Sequence, residues 1–264
     1  FYMQCLGEEA AVTASAAALD QDDMIMAQYR EQAALHYRGF TLDQFMNQMF
    51  SNELDLGKGR QMPIHYGSKE LNYMTISSPL GTQIPQATGY AYGQKVKHID
   101  AKTGELASTI DNVTICYFGE GAASEGDFHA GLNMAAVHKA PVIFFARNNG
   151  YAISTPADEQ FKGDGIASRG VGYGIKTIRV DGSDALAVFA ATQKAREIAA
   201  TQGEPVLIES IAYRLGAHST SDDPSGYRSK DEEATHKVCP IDKFKKWLIK
   251  QEWLNEEDDA KAKD

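Results

Sequence analysis

Two short segments carry residues able to hold a divalent cation against an anionic ligand. Residues 119–126 (GEGAASEG) place Glu120 between Gly119 and Gly121, and residues 147–151 (RNNGY) place Asn149 29 positions later. Each follows an apolar run, 113–118 (VTICYF) and 142–146 (VIFFA). In open parallel sheets ligands bind outside the carboxyl ends of the strands. One helix between the two runs, in a right-handed crossover, brings Glu120 and Asn149 side by side at that rim. A carboxylate, an amide oxygen and a nearby backbone carbonyl form an all-oxygen half-shell for magnesium, with other positions left to water and phosphate. Gly119 and Gly121 let the backbone approach a phosphate, and a helix beginning near Ser124 adds free N–H groups. Singly, each segment is equally a tight turn; at one sheet edge together they describe a magnesium–diphosphate cradle.

A third run, 205–213 (PVLIESIAY), is followed by 214–220 (RLGAHST). His218 differs from the six other histidines, which are read as structural, by lying past a strand end in a loop rich in Ser, Asp and Gly. With an ordinary pKa near ~6.5 it can exchange a proton at working pH. Competing chemistries fall behind. A dinucleotide fingerprint needs GxGxxG, but Ser124 occupies the third position, and no acidic residue near the end of VIFFA awaits a ribose. A GxxxxGK[ST] phosphate loop is absent. Cys5, Cys116 and Cys239 show no CxxC spacing and suggest neither a disulfide framework nor a zinc site. A net charge of −10 argues against nucleic acid as a partner. The uncharged apolar run at 142–146 is too short for membrane insertion.

The elements that must position these residues are α/β in rhythm. The first third reads as helical, with helices at 7–19, 29–37 and 41–50, the last with Thr41 as N-cap. Residues 56–66 form a loop and 83–95 a further helix. Strands at 113–118, 142–146, 175–180 and 205–213 then alternate with helices at 124–138 and 184–200, which predicts a mostly parallel sheet with helices on both faces. Residues 96–110 are a polar loop with a hairpin-like Lys-Thr-Gly. The expected organisation is one domain over 1–264, with a helical tail from 235 carrying Phe244, Trp247, Leu248 and Trp253, and a solvated or frayed end at 255–264. A chain that starts at Phe1 is expected to be a processed product or fragment, its C-terminal end truncated.

The GEG…NN pattern resembles the thiamine-diphosphate signature of 2-oxo acid dehydrogenase alpha subunits, often written GDG…NN, with Glu120 in place of the usual Asp. The resemblance spans nearly the whole chain: YREQ, DLGKGRQMPIHYG, TISSPLGTQIPQATG, FGEGAASEGD, FFARNNGYAISTP, RVDG and YRLGAHSTSDDPSGYRS. Within this family the SSPL and HSTSDD wording is most similar to the branched-chain alpha subunits, whereas pyruvate enzymes usually carry a HGHSMSDP-type loop. The resemblance implies a thiamine-diphosphate-binding fold in which Glu120, Asn149 and the Tyr151 carbonyl hold magnesium. Tyr29, Arg30, Arg147 and His218 would reach the diphosphate or its surroundings, Gly121 and Ala122 would give backbone contacts, and Ser78 and Leu80 would line the pocket. An arginine's commoner fate is a surface ion pair, but bidentate geometry suits phosphate. Ser77, Pro79, Thr82 and Gln83 match a potassium site, with a plain Ser-Pro turn as the rival reading.

His218 would also assist at the reaction centre and in transfer to the lipoyl group. Ser219 and Ser229 match positions phosphorylated by a dedicated kinase, so a kinase and phosphatase join the implied partners; a plain polar loop is the alternative. The implied reaction is oxidative decarboxylation of branched-chain 2-oxo acids, from Leu, Ile and Val catabolism, with reductive acylation of a lipoyl-bearing acyltransferase. No glutamate to activate the aminopyrimidine is identified in this chain. In the family it comes from a beta subunit within an alpha2beta2 heterotetramer. The implied location is the mitochondrial matrix, or the cytoplasm of a bacterium. The pyruvate reaction, and a non-catalytic assembly or regulatory role, stay open as alternatives.

Overall fold

The computed structural model describes residues 2–236 and 238–262. Its helices are α1 (Glu9–Ala17), α2 (Gln32–Tyr37), α3 (Leu42–Met49), α4 (Gln83–Val96), α5 (Gly126–His138), α6 (Ala157–Gln160), α7 (Ala167–Gly172), α8 (Ala185–Gln202), α9 (Lys230–Thr235), α10 (Pro240–Lys250) and α11 (Glu256–Lys261). Its strands are β1 (Met24–Met26), β2 (Tyr73–Met74), β3 (Thr114–Gly119), β4 (Val142–Asn148), β5 (Tyr151–Ala152), β6 (Thr155–Pro156), β7 (Lys176–Asp181) and β8 (Val206–Ile211). Six of them form a parallel sheet in the order β2-β1-β3-β4-β8-β7, and β5 and β6 form a small antiparallel hairpin.

Alternate residues of the central strands feed two separate cores, because successive side chains point to opposite faces. Ile115, Tyr117, Ile143, Phe145 and Ile208 pack on the side of α1, α2 and α8. Cys116, Phe118, Phe144 and Leu207 pack with Ile84 of α4 and Phe128 and Leu132 of α5. Burial on both faces explains the unbroken apolar runs. The α/β expectation and the strands at 113–118, 142–146, 175–180 and 205–213 hold to within two residues at each end. Thr41 is the N-cap of α3, as the sequence predicts, and the structure adds the reciprocal bond from Gln44.

Three expectations are corrected. The first third is not wholly helical: β1 and β2 lie in it, and β1 pairs with β3 through Met24–Thr114 and Met26–Cys116. Strands of three and two residues are too short to show a period, so only pairing reveals them. The helix expected from Tyr29 starts at Gln32. The Glu31 carboxylate instead accepts the amides of Gln28 and Arg30 at 2.9 and 3.2 Å and holds residues 28–31 as a turn. The end expected to be solvated or frayed is solvated but not frayed: it carries α11, with Asn255 capping the Asp258 amide and Lys245 reaching Asp259; Lys263 and Asp264 lie outside the described residues. The loop at 96–110 keeps its hairpin character through an Ile99–Leu106 bridge.

No helix among the described residues is long and apolar enough to cross a membrane, and the three cysteines are free. The strand order reverses direction between β1 and β3: from β1 the sheet runs outward to β2, and from β3 to β4, β8 and β7. Such a point opens a crevice at the carboxyl ends of the strands.

Helices α4 and α5 must approach closely to support β3 from one side. A side chain at Gly131 would bring its Cβ within 2.8 Å of the Ile84 side chain and 3.3 Å of its backbone. Overpacking of this kind costs about 1–3 kcal/mol, so Gly131→Val should lower the unfolding free energy in urea by about that amount; wild-type stability would show that the helices separate freely.

Candidate functional site

The turn after β1, the turn after β3 and the turn after β4 meet in a cavity of about 290 Å³. Its walls include Tyr29, Arg30, Leu80, Glu120, Gly121, Ala122, Arg147, Asn149, Tyr151 and His218, all named from the sequence, together with Arg214, which the sequence reading left unassigned. Gly119 and Arg147 are register partners in the sheet, which places Glu120 and Asn149 on adjacent strand ends. The Asn149 amide donates to Glu120 Oε2 at 3.3 Å. Asn149 Oδ1 accepts from the Tyr151 amide at 3.2 Å, and Asn148 Oδ1 accepts from the Gly150 amide at 3.1 Å. These side-chain-to-backbone bonds form the turn that delivers Asn149.

Glu120 is 2% exposed, and no ion pair to it occurs among the described residues. Burial, reinforced by the charge of Glu8, pushes its carboxyl up to about 7. A buried carboxylate without a paired cation is stabilised by a bound divalent ion. Among the described residues no group of three or more His, Cys, Asp or Glu is placed to hold a metal. A cation at this rim would therefore draw on one carboxylate together with amide and backbone oxygens, a hard-oxygen set of the kind magnesium accepts. The residues present fit the group.

The arginines divide their roles in a way the sequence did not indicate. Arg147 Nε lies 2.6 Å from Glu31 Oε1 and Nη1 lies 3.1 Å from Glu8 Oε1, with all three side chains buried. Burial alone would lower the proton affinity of this guanidinium, but Glu31 and then Glu8 outweigh it and the net shift is upward. Arg147 lines the cavity, yet its charge is committed to two carboxylates. Arg30 instead donates to the backbone carbonyls of Gln4 and His218 at 2.5 and 2.6 Å. Arg214 donates to the Ile153 carbonyl and the Tyr227 hydroxyl, both at 2.9 Å. Neither has a carboxylate partner among the described residues, so these two buried cations supply the potential that favours an anion. Glu8, Glu31 and Arg214 are the residues the sequence reading missed. For Arg214 the signal was available, since it directly follows an apolar strand run.

His218 sits between them. Arg30 Nη2 is 3.1 Å from its Nδ1, which must then accept, leaving the proton of the neutral ring on Nε2. The His218 amide donates to Asp222 Oδ2 at 2.7 Å, and Tyr227 binds the same oxygen at 2.6 Å. Tyr29 meets the imidazole edge-on with centroids 6.1 Å apart. Burial, then the charges of Arg30 and Arg214, push its pKa down to about 4. The expectation of an ordinary histidine pKa is therefore corrected: in the free site the ring is neutral and a donor through Nε2.

The remaining residues stand apart from the cavity. Ser78 does not line it; its hydroxyl is 2.9 Å from His65 Nε2. Ser77, Pro79, Thr82 and Gln83 gather in the turn leading into α4, where Thr82 Oγ1 donates to the Pro79 carbonyl at 3.1 Å. Gln83 is buried and its Nε2 donates to the Tyr117 carbonyl at 3.0 Å, anchoring that turn to β3. Ser219 Oγ is 3.2 Å from Ser221 Oγ, and Ser229 caps α9 by accepting from the Glu232 amide at 3.1 Å.

A family model described as "Dehydrogenase E1 component" matches residues 1–264. The chain is 53% identical to 2-oxoisovalerate dehydrogenase subunit alpha 1, mitochondrial, of Arabidopsis thaliana, over all of its own length and 54% of that protein. It is 55% identical to the mitochondrial alpha subunit of the same name from Caenorhabditis elegans, over 97% of the chain and 58% of the relative. For the Homo sapiens subunit the values are 54%, 97% and 56%. The chain thus spans about half the length of the curated relatives it matches.

The depressed His218 pKa has a defined consequence. In the unfolded chain the ring takes a proton near 6.5, but in the fold only near 4, so the unfolded state binds more protons between these values and stability falls as pH drops from 6.5 to 4. Urea titrations across that window should show a steeper acid loss for wild type than for His218→Asn; parallel profiles would mean the ring is not held neutral.

Proposed function

Because this chain belongs to the dehydrogenase E1 component family, we propose that it is the alpha subunit of a branched-chain 2-oxo acid dehydrogenase. Its reaction would be the thiamine-diphosphate-dependent oxidative decarboxylation of branched-chain 2-oxo acids, with reductive acylation of a lipoyl group on an acyltransferase. The observation that carries the reading is the convergence of Glu120, Asn149, Arg30, Arg214 and His218 on one crevice at the point where the strand order reverses.

In this reading Glu120, Asn149 and the Tyr151 carbonyl hold magnesium, and Arg30 and Arg214 face the diphosphate as uncompensated cations. Arg147 contributes by fixing the ends of β4 and of the 28–31 turn; its charge is already matched. Gly121 and Ala122 offer backbone, and Leu80 an apolar wall. His218 presents the Nε2 proton toward bound substrate, and an incoming anion raises its proton affinity by offsetting Arg30 and Arg214. The cofactor's thiazolium supplies the electron sink for loss of carbon dioxide, while the protein positions and tunes it. Ser78 belongs to this pocket only through a change from its His65 contact, and a potassium ion at Ser77, Pro79, Thr82 and Gln83 would stiffen the turn into α4.

A beta subunit would complete the site in an alpha2beta2 assembly, bringing the glutamate that activates the aminopyrimidine; Glu8 and Glu31 of this chain are both engaged by Arg147. The proposed location is the mitochondrion, in keeping with the names of the relatives. Calorimetry on the reconstituted alpha–beta complex should show magnesium-dependent thiamine diphosphate binding that Glu120→Ala weakens at least tenfold. With that complex, kcat/KM for 3-methyl-2-oxobutanoate should exceed that for pyruvate. Absence of cofactor binding would leave the assembly or regulatory role in its place, and a preference for pyruvate would move the substrate class.

Phosphorylation of Ser219 belongs to the same reading. A phosphate there adds about −2 charge next to His218 and within reach of Arg30, competing with the diphosphate for the same cations. Stoichiometric phosphorylation of Ser219 should abolish most decarboxylase activity; full activity at complete occupancy overturns the regulatory role.

A further inference from the structure

We propose that Glu8 is a positioning residue for the metal rim: its Oε1 accepts from Asn149 Nδ2 and from Arg147 Nη1, each at 3.1 Å, and so helps to fix which way round the Asn149 carboxamide sits at the rim. The inference rests on the reading of Glu120 and Asn149 as magnesium ligands. A carboxamide's two ends are close in shape and opposite in function, one donating and one accepting. An ionised carboxylate can only accept. Glu8 therefore binds the NH2 end and leaves Oδ1 to accept from the Tyr151 amide, while the main-chain N–H of Asn149 donates to Glu120 Oε2. The Tyr151 N–H, which needs an acceptor, favours the same orientation from the other end of the amide, so Glu8 and Tyr151 fix it together.

Glu8 is itself held in place. It is fully buried at the head of α1, where the helix's positive end suits a carboxylate. Its amide donates to the Cys5 carbonyl at 2.9 Å. The preceding Gly7 adopts φ +89°, and a Cβ there would fall 2.1 Å from the Tyr213 carbonyl, so only glycine lets the chain pass close to the segment that follows β8 and bring Glu8 to Arg147 and Asn149. Arg147 bridges Glu8 to Glu31, which keeps the Glu8 carboxylate from turning. The arrangement matches a general pattern in metal sites, in which a carboxylate behind a ligand sets the ligand's orientation and its loss weakens the metal about 10–100-fold.

The test measures magnesium affinity by calorimetry in saturating thiamine diphosphate, with the full chain assembled with its beta subunit. Glu8→Leu removes the acceptor, leaves Arg147 paired with Glu31 and should weaken magnesium about 10–100-fold; Glu8→Gln, whose Oε1 can still accept from Asn149 Nδ2, should weaken it less. Ser15→Ala, which removes the buried 2.8 Å contact between α1 and Tyr117, should lower thermal stability yet leave magnesium affinity unchanged. Asn149→Asp places two carboxylates against each other and should weaken magnesium despite adding a hard oxygen ligand. Glu8→Gln combined with Asn149→Asp restores a donor–acceptor pair and should recover affinity over Asn149→Asp alone. If Glu8→Leu does not fold, Glu8→Asp keeps the charge beside Arg147 but withdraws it from Asn149, and it too should weaken the metal. Wild-type magnesium affinity in Glu8→Leu or Glu8→Asp, or a double variant no better than Asn149→Asp, overturns the inference. A wild-type complex that binds neither magnesium nor thiamine diphosphate overturns the reading beneath it.

Discussion

Arg147, at the end of the central strand β4, is buried between Glu8 and Glu31, and the geometry of the crevice depends on that ion cluster. Glu8 stands at the head of α1 and Glu31 closes the turn after β1, so one guanidinium binds three segments that meet at the sheet's carboxyl edge. Removing one member of such a buried set leaves a charge without compensation, a loss of about 3–5 kcal/mol. The cluster also explains why a three-residue strand suffices at β1. The turn that follows is held by the Glu31 carboxylate through the Gln28 and Arg30 amides, and Glu31 is held by Arg147.

With Arg147 neutralised, the electrostatics of the crevice fall to other groups. Arg30 and Arg214 bond only to neutral acceptors among the described residues. They push the His218 proton affinity down, and they make the crevice receptive to an anion. Glu120 carries the opposite imbalance, a buried carboxylate raised by desolvation and by Glu8. On the proposed reading, a magnesium–diphosphate pair would relieve both at once, cation to Glu120 and anion to Arg30 and Arg214. The molecule's net charge of −10 is silent about this local arrangement, because only charges within a few ångströms of one another and shielded from water interact strongly.

The site was legible where it lay in continuous motifs. Glu120 and Asn149 follow apolar runs whose hydrophobicity is itself the signature of doubly buried strands, and the crossover rule joins them without coordinates. Tyr29 and Arg30 were reached only through family resemblance, since nothing local marks Met24–Met26 as a strand. The resemblance assigns Arg147 to the diphosphate and its place after a strand end favours that role, but the carboxylates that engage it lie far off in the chain. Ser78 enters the pocket only through the resemblance, and the structure turns it to His65 instead.

The sequence by itself determined the α/β class, the central strands, the helix caps such as Thr41, and the pairing of Glu120 with Asn149, because each follows from periodicity or from spacing within one crossover. Only the tertiary structure decided which arginines stay charged toward the ligand, that His218 is neutral, and that Glu8 reaches Asn149. These depend on contacts between residues more than a hundred positions apart. Burial and Coulomb interaction act through distance in space, and a linear pattern carries no record of it.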